Sequence, residues 1–187
     1  MTPDHLDHPA LGRLDWDDRL SWFKGQMPLD DGSTVEITLN PFSELLHPYP
    51  DRLEDPVEFL DRSVSTLSDL AGKLDAMKEY AADRLLDVYN DGWRSSYRQG
   101  DWLELPALDR GGFVAQLALR SIGVDAGREC EVQFDDGGMF AGHAVFVSTD
   151  ASGAPGGLRT LRLTHQHAHR EMRSPHCCIE PRTEPVE

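Results

Sequence analysis

Lysine and cysteine are both scarce in this chain. Lysine supplies 3 of the 18 basic side chains, arginine the other 15, and there are only three cysteines: Cys130, Cys177 and Cys178. The last two are adjacent, and a bridge between neighbours is strained. The set therefore makes no disulfide framework and is expected to stay as reduced thiols, as in a cytoplasmic protein. Long apolar runs are missing too. None approaches the roughly 18 residues that a helical membrane span requires. The first residues, MTPDHLDHPALGRLD, carry acids where a secretory signal would carry bases, which again leads to a cytoplasmic expectation. Catalytic signatures are absent as well: no nucleophile elbow, no phosphate-binding glycine loop and no HExxH helix. RGG at 110–112 and GAPGG at 153–157 are glycine-rich, yet neither opens a strand–loop–helix unit. No cofactor is expected.

Positive charge is the remaining shortage. The formal net charge is -15, from 33 acidic and 18 basic side chains among 187 residues. Residues 1–61 hold 14 acids against 4 bases, residues 62–109 hold 9 against 6, and residues 110–187 hold 10 against 8. A field of that sign repels nucleic acid and anionic membranes and attracts basic partners. Solubility alone, or adaptation to salt, is the plainer account of the same numbers. Hydrophobic residues make up 39% and charged residues 27%, the balance of a folded soluble chain rather than a disordered one.

Residues 1–20 are polar and show little periodicity, so a loosely ordered acidic arm or one short helix is expected there. Val35, Ile37 and Leu39 alternate with polar neighbours, the mark of a half-buried strand. With Asp31-Gly32 as the turn, 21–28 and 34–39 should pair as a hairpin. Asp55-Pro56 starts a helix: Asp caps free N–H groups, Pro fits the first turn, and Glu58 lies near the positive dipole end. Val57, Leu60, Val64, Leu67, Ala71 and Leu74 then form one apolar stripe. A second helix carries Met77, Tyr80, Ala81, Leu85 and Val88, and Asn90-Asp91-Gly92 is its expected stop. The two make a helical hairpin, or one long helix kinked near Gly72.

After a linker containing Trp93 and Trp102, strands are expected near 117–124, 128–135, 139–148 and 158–163. Short links make these an antiparallel meander. The fold class is therefore α+β: a meander-like antiparallel sheet of about six strands packed on a two-helix hairpin, in one domain over 21–163. Residues 164–187 form a polar tail containing His and Cys.

Residues 134–143 read FDDGGMFAGH. DDGG is hairpin chemistry, since glycine supplies the positive φ that tight turns need. A two-residue turn at Asp136-Gly137 puts His143 on the side of Val132, Phe134, Val145 and Val147. A three-residue turn puts it on the side of the acids of the previous strand, and Gly138 keeps both open. The structural role for His143 is a neutral ring satisfied by its neighbours. The functional one is an acid, base, ligand or partner contact.

Asn90…Trp93, LALRSIGVD and FDDGGMFAGHAVFV together resemble the bacterial domain-of-unknown-function family 2262, over roughly residues 21–163. The resemblance covers the hairpin–helix–helix–sheet order, the Asn/Trp pair that ends the helix, and the acidic-Gly turn that leads to Phe140, Gly142 and His143. An aromatic often stands where this chain has Ala141. The tail has no counterpart. The family implies no established activity, and an immunity-protein role for small acidic families of this kind is an analogy.

His165, His167 and His169 alternate, with His176, Cys177 and Cys178 close behind. On a strand these imidazoles stand about 7 Å apart, farther than one zinc gathers without bending. In a bent tail they could converge with Cys177, although the spacing matches no finger or ribbon; the plainer reading is a solvated tail. The leading functional expectation is an acidic protein-binding module with a basic protein partner, most concretely an immunity protein that blocks a toxin such as a nuclease. Asp15, Trp16, Asp17, Asp18, Trp22, Asp30 and Asp31 are the residues expected to meet it. Direct nucleic-acid or membrane contact is not expected. The competing readings are a hydrolase-type enzyme using His143 with Asp135, Asp136 or Glu131, and a DNA mimic.

Overall fold

Alternating apolar and polar residues build strands at both ends of the chain, and the helices lie between them. The computed structural model describes residues 3–29, 32–41, 55–98, 101–125, 129–150 and 153–162, with backbone alone at 96–98, 101–103 and 161–162. The first four strands are β1 (His5–His8), β2 (Gly12–Asp17), β3 (Trp22–Pro28) and β4 (Thr34–Asn40). Helices α1 (Pro56–Ala71) and α2 (Leu74–Val88) come next, then a π turn at Tyr89–Trp93 and a small hairpin of β5 (Ser95–Arg98) and β6 (Asp101–Glu104). A short helix α3 (Arg110–Gln116) leads into β7 (Ala118–Asp125), β8 (Glu129–Asp135), β9 (His143–Thr149) and β10 (Pro155–Arg162).

The main sheet has eight strands in the order β1-β2-β3-β4-β7-β8-β9-β10, and β5-β6 forms a separate ribbon. Within each half every neighbour is antiparallel, so each half is a four-stranded meander. The halves meet at β4 and β7, which run parallel from Glu36↔Ser121 to Asn40↔Asp125. A parallel pair needs a long crossover, and the helices supply it.

The α+β class and the mostly antiparallel sheet agree with the sequence reading, and the six strands expected are all present. The sheet gains two strands from residues 1–20, which form β1 and β2 rather than a loose arm. Leu14 explains the change: it is fully buried on the core side of β2 and packs over Gly25 of β3. Two alternating apolar residues, Leu14 and Trp16, among charges are too short a pattern to show as a strand in the sequence. The layer over the sheet holds three described helices rather than two.

Asp55 caps α1 as expected, its Oδ1 accepting from the amides of Val57 and Glu58 at 3.0 Å each. The buried face is turned from the expected stripe. Phe59, Leu60, Ser63, Leu67 and Leu70 are buried, whereas Val57 is 68% exposed. Ser63 tolerates burial because its hydroxyl donates to the Phe59 carbonyl at 2.9 Å. The chain breaks at Gly72, where the Lys73 amide donates to Leu70 O. α1 packs on β7 and β8, and α2 on β9, β10 and α3. One core joins these helices to Phe23, Val35 and Ile37 of the first meander and Val132, Phe134 and Val145 of the second. Asn90-Asp91-Gly92 does not stop α2; the helix widens there into the π turn, the Arg94 amide reaching Tyr89 O at 2.9 Å.

Candidate functional site

Two places collect the residues singled out by the sequence: the 136–142 connection with His143, and the sheet face turned away from the helices.

The 136–142 connection is neither a two-residue nor a three-residue turn. Strand pairing ends at Asp135↔Ala144, with Phe134 opposite Val145. The intervening residues form a folded loop, because Met139 and Phe140 are apolar and bury against the body at 3% and 1% exposure. Phe140 meets Tyr89, Trp93 and Phe113 edge-on, at centroid distances of 6.1, 5.6 and 6.2 Å. Such edge-to-face pairs add to simple area burial.

Asp136 holds this loop from inside. It is 3% exposed, with Oδ1 accepting from the Gly138 amide at 2.8 Å and Oδ2 from the Phe140 amide at 2.5 Å. A buried carboxylate is tolerated when backbone N–H groups solvate it in this way. Ala141 (φ 55°) and Gly142 (φ 84°) then turn the chain back into β9. The left-handed Ala141 costs some backbone strain that the anchors on either side must hold.

His143 comes out on the helix side of the sheet, with Val145 and Val147, as the two-residue alternative had it, although the loop differs. Its ring stands edge-on to Trp93, 5.2 Å between centroids. Its Nδ1 contacts the Phe140 carbonyl. A carbonyl can only accept, so Nδ1 carries the proton that points at it. Trp93 reaches this place because of the π turn. Asn90 ties the same turn to the segment after it, donating from Nδ2 to Leu108 O at 2.9 Å and accepting the Leu108 amide at 3.0 Å. Tyr89 adds a hydroxyl bond to Pro106 O at 3.0 Å. The Asn/Trp pair and the FDDGGMFAGH stretch, far apart in sequence, are thus one packed unit.

The acids an enzymatic role would enlist are otherwise engaged. Glu131 and Asp135 lie on the opposite sheet face from His143. Glu131 pairs with Arg159 at 2.5 Å, and Asp135 accepts the Gly137 amide at 2.9 Å and lies 3.9 Å from Arg120. Asp136 is spent on the loop amides.

The other sheet face carries the outward side chains of both meanders, mostly polar, although Thr38, Ala144 and Phe146 are buried there. Strand pairing places Asp15 beside Lys24 and Asp17 beside Trp22, all pointing outward there. Glu36, Asp125, Glu129 and Glu131 continue the face across β4, β7 and β8. Asp15 is bonded to Arg13 at 2.7 Å, and Asp17 lies 3.5 Å from Lys24, whose ammonium stands 5.9 Å from the Trp22 ring centre. Trp16 points the other way, against Phe23 at 4.8 Å, and its indole N–H donates to Asp18 at 2.7 Å. Of the expected partner residues, then, Asp15, Asp17 and Trp22 share one surface, Asp18 sits in the adjoining turn, and Trp16 packs on the core. Asp30 and Asp31 lie outside the described residues, as do His165, His167, His169 and Cys177. Among the described residues no group of three or more His, Cys, Asp or Glu could hold a metal, and no helix is long and apolar enough to cross a membrane.

The sequence missed α3 and the packing role of Asp136. Asp109 is the available signal for α3: its Oδ1 accepts the Gly112 amide at 2.7 Å, a cap masked by the glycine-rich RGG that follows it. For Asp136 the signal was Met139-Phe140, an apolar pair that no exposed tight turn would carry.

Residues 8–157 match the family described as "Uncharacterized protein conserved in bacteria (DUF2262)", and the chain belongs to that family. No curated protein and no solved structure matches it.

Proposed function

We propose that this chain is a protein-binding module that presents the open, acidic face of its sheet to a basic partner. The observation that supports this reading is the outward group Asp15, Asp17 and Glu36, with Trp22 and Lys24 among them, on the sheet face turned away from the helices. Within the chain Lys24 already stands over the Trp22 ring and beside Asp17, and a basic partner would extend the same cation–ring and charge attraction along the face. The most concrete form is an immunity protein that neutralises a basic toxin, such as a nuclease, by direct binding. The enzyme reading is weaker, since each carboxylate it needs has a structural partner. The test is affinity purification from the native cell with the wild-type chain and with a D17K/E36K variant. A stoichiometric basic protein held by the wild type, released by salt and not held by the variant, is the expected result. If no such protein is recovered, the proposal fails.

A further inference from the structure

Of the glycines in the main sheet, Gly123 is the least constrained by its own surroundings. Gly12 has a positive φ, and Gly156 occupies the bulge of β10. A Cβ on Gly25 would collide with the Leu14 side chain, and one on Gly157 with the Ser148 hydroxyl. Gly123, in the middle of β7, has no positive φ. Within 4 Å a Cβ there meets only Thr38 Oγ1, at 3.3 Å, and the Glu131 carbonyl oxygen, at 3.7 Å. A methyl fits once the Thr38 hydroxyl yields by a few tenths of an ångström. Glycine inside a strand weakens it, and often marks a place where another group approaches the backbone closely.

Strand register sets what surrounds this bare position. On the outward face its neighbours are three residues of β4, three of β8 and two of β7. Glu36, Asp125, Glu129 and Glu131 are among them, and none is basic. Glu131 is tied to Arg159 of β10 at 2.5 Å, and Lys24, one strand beyond Thr38, lies 3.5 Å from Asp17. Glu36 and Glu129 are exposed and form no ion pair among the described residues, and Gly123 itself is partly accessible. Asp125 and Glu129 are register partners. Like charges directly opposite each other weaken a strand pair, and a cation between them relieves the repulsion.

We propose that Gly123 seats one arginine side chain of the basic partner, with the stem lying on the bare strand and the guanidinium between Asp125 and Glu129. This rests on the reading of the outward face as a binding surface, and it places the centre of that surface at the β4–β7 seam, where the two meanders meet. The dimensions fit. Residues two apart on a strand stand about 7 Å apart, close to the reach of an arginine from its stem to its charge. Long cationic side chains lay their stems on protein surface and keep the charged head in water. Arginine suits the position better than lysine, because a planar guanidinium can bond two carboxylates at once. Glu36, on the far side of Gly123, adds to the attraction without touching the ligand.

The test is an NMR titration of the ¹⁵N-labelled full chain with N-acetyl-triarginine amide at low salt. The amides of Gly123, Asp125 and Glu129 should shift together on one saturable curve. Gly123→Val changes no charge and fills the seat, so it should weaken binding about fivefold or more, and Glu129→Gln should do the same. Asp15→Asn, remote on the same face, should change it less than about twofold. Equal affinity in Gly123→Val overturns the proposal, because charge alone then holds the peptide. Shifts at Asp15 and Asp17 with Gly123 unmoved also overturn it, and leave the outward face standing as a binding surface. If no amide on that face moves, the seat and the wider reading fall together. Because Gly123→Val can disturb the strand, the shift map of the unaltered chain decides the matter whatever the variant does.

Discussion

Both halves of the sheet contain the tripeptide Asp-Asp-Gly, and they use it differently. In the first meander, residues 30–32 fall between Leu29 and Ser33, whose backbones bond at 2.8 Å to close a short hairpin. In the second, Asp135-Asp136-Gly137 opens a loop that runs to Gly142, and Asp136 is buried under it. The residues after the glycine decide the outcome. Ser33-Thr34 is polar and can enter a strand at once, whereas Met139-Phe140 must first find apolar cover. The cover is there, in Tyr89, Trp93 and Phe113, so the chain folds inward and the aspartate goes with it. Both meanders thus carry acids on the outward face, at Asp15, Asp17 and Glu36 in the first and at Asp125, Glu129 and Glu131 in the second, and the second also takes one inside the fold, in the loop after β8.

This comparison breaks first at Phe140. Replacing it with Ala removes a ring packed against three others at 1% exposure. The cost should be about 3–5 kcal/mol, the usual range for a buried Phe→Ala, read by urea or thermal unfolding. A loss below about 1 kcal/mol would mean the loop is not tied to the core, contrary to its burial.

Asp136→Ala should come next. It leaves the Gly138 and Phe140 amides without their acceptor, for a loss of about 2–3 kcal/mol. Asp136→Asn keeps one acceptor oxygen and should lose roughly half as much by the same reasoning. If the two variants are equally stable to the wild type, Asp136 is no anchor.

The strands were more legible than the loops. Strand positions emerged from period-two alternation because a sheet buried on one face imposes it directly, as at Val35, Ile37, Val132 and Phe134. The rest depended on contacts that no local pattern encodes. Leu14 is buried over Gly25, a close approach between neighbouring strands that no local pattern shows. Val57 fits the α1 stripe by spacing, yet Phe59 is the residue that finds Phe23, 6.4 Å away. Trp93 and His143 could be marked as special, but their meeting needs the widened turn at Tyr89–Trp93, and Asn90-Asp91-Gly92 reads locally as a helix end.

Cys130, in β8, offers a pH test of the second meander's interior. Burial pushes its thiol up from 9.0 to about 11, with Lys73 opposing the shift. Below pH 9 both folded and unfolded chains hold the proton. Between 9 and 11 the unfolded chain loses it first, so the native state loses stability as pH rises, by up to about 1.4 kcal/mol per pH unit. Cys130→Val should flatten that part of the curve relative to the wild type. If the two curves remain parallel, the thiol is not shielded from water.

The smallest stability effect, and the one that sharpens the comparison most, is expected on the outward face. Glu36→Gln and Asp17→Asn change exposed or half-exposed side chains on β4 and β2, and each should alter unfolding stability by less than about 0.5 kcal/mol. The same substitutions should weaken capture of a basic partner about tenfold or more each, because the lost attraction is across an interface rather than within the fold. Weakening should also be greater at low salt than at high salt, since screening already suppresses the attraction there. If these variants instead unfold as readily as Asp136→Ala, the outward acids support the fold as the inner one does. The division of labour between outward and buried acids would then not exist, and with it would go the reason for reading the outward face as a binding surface.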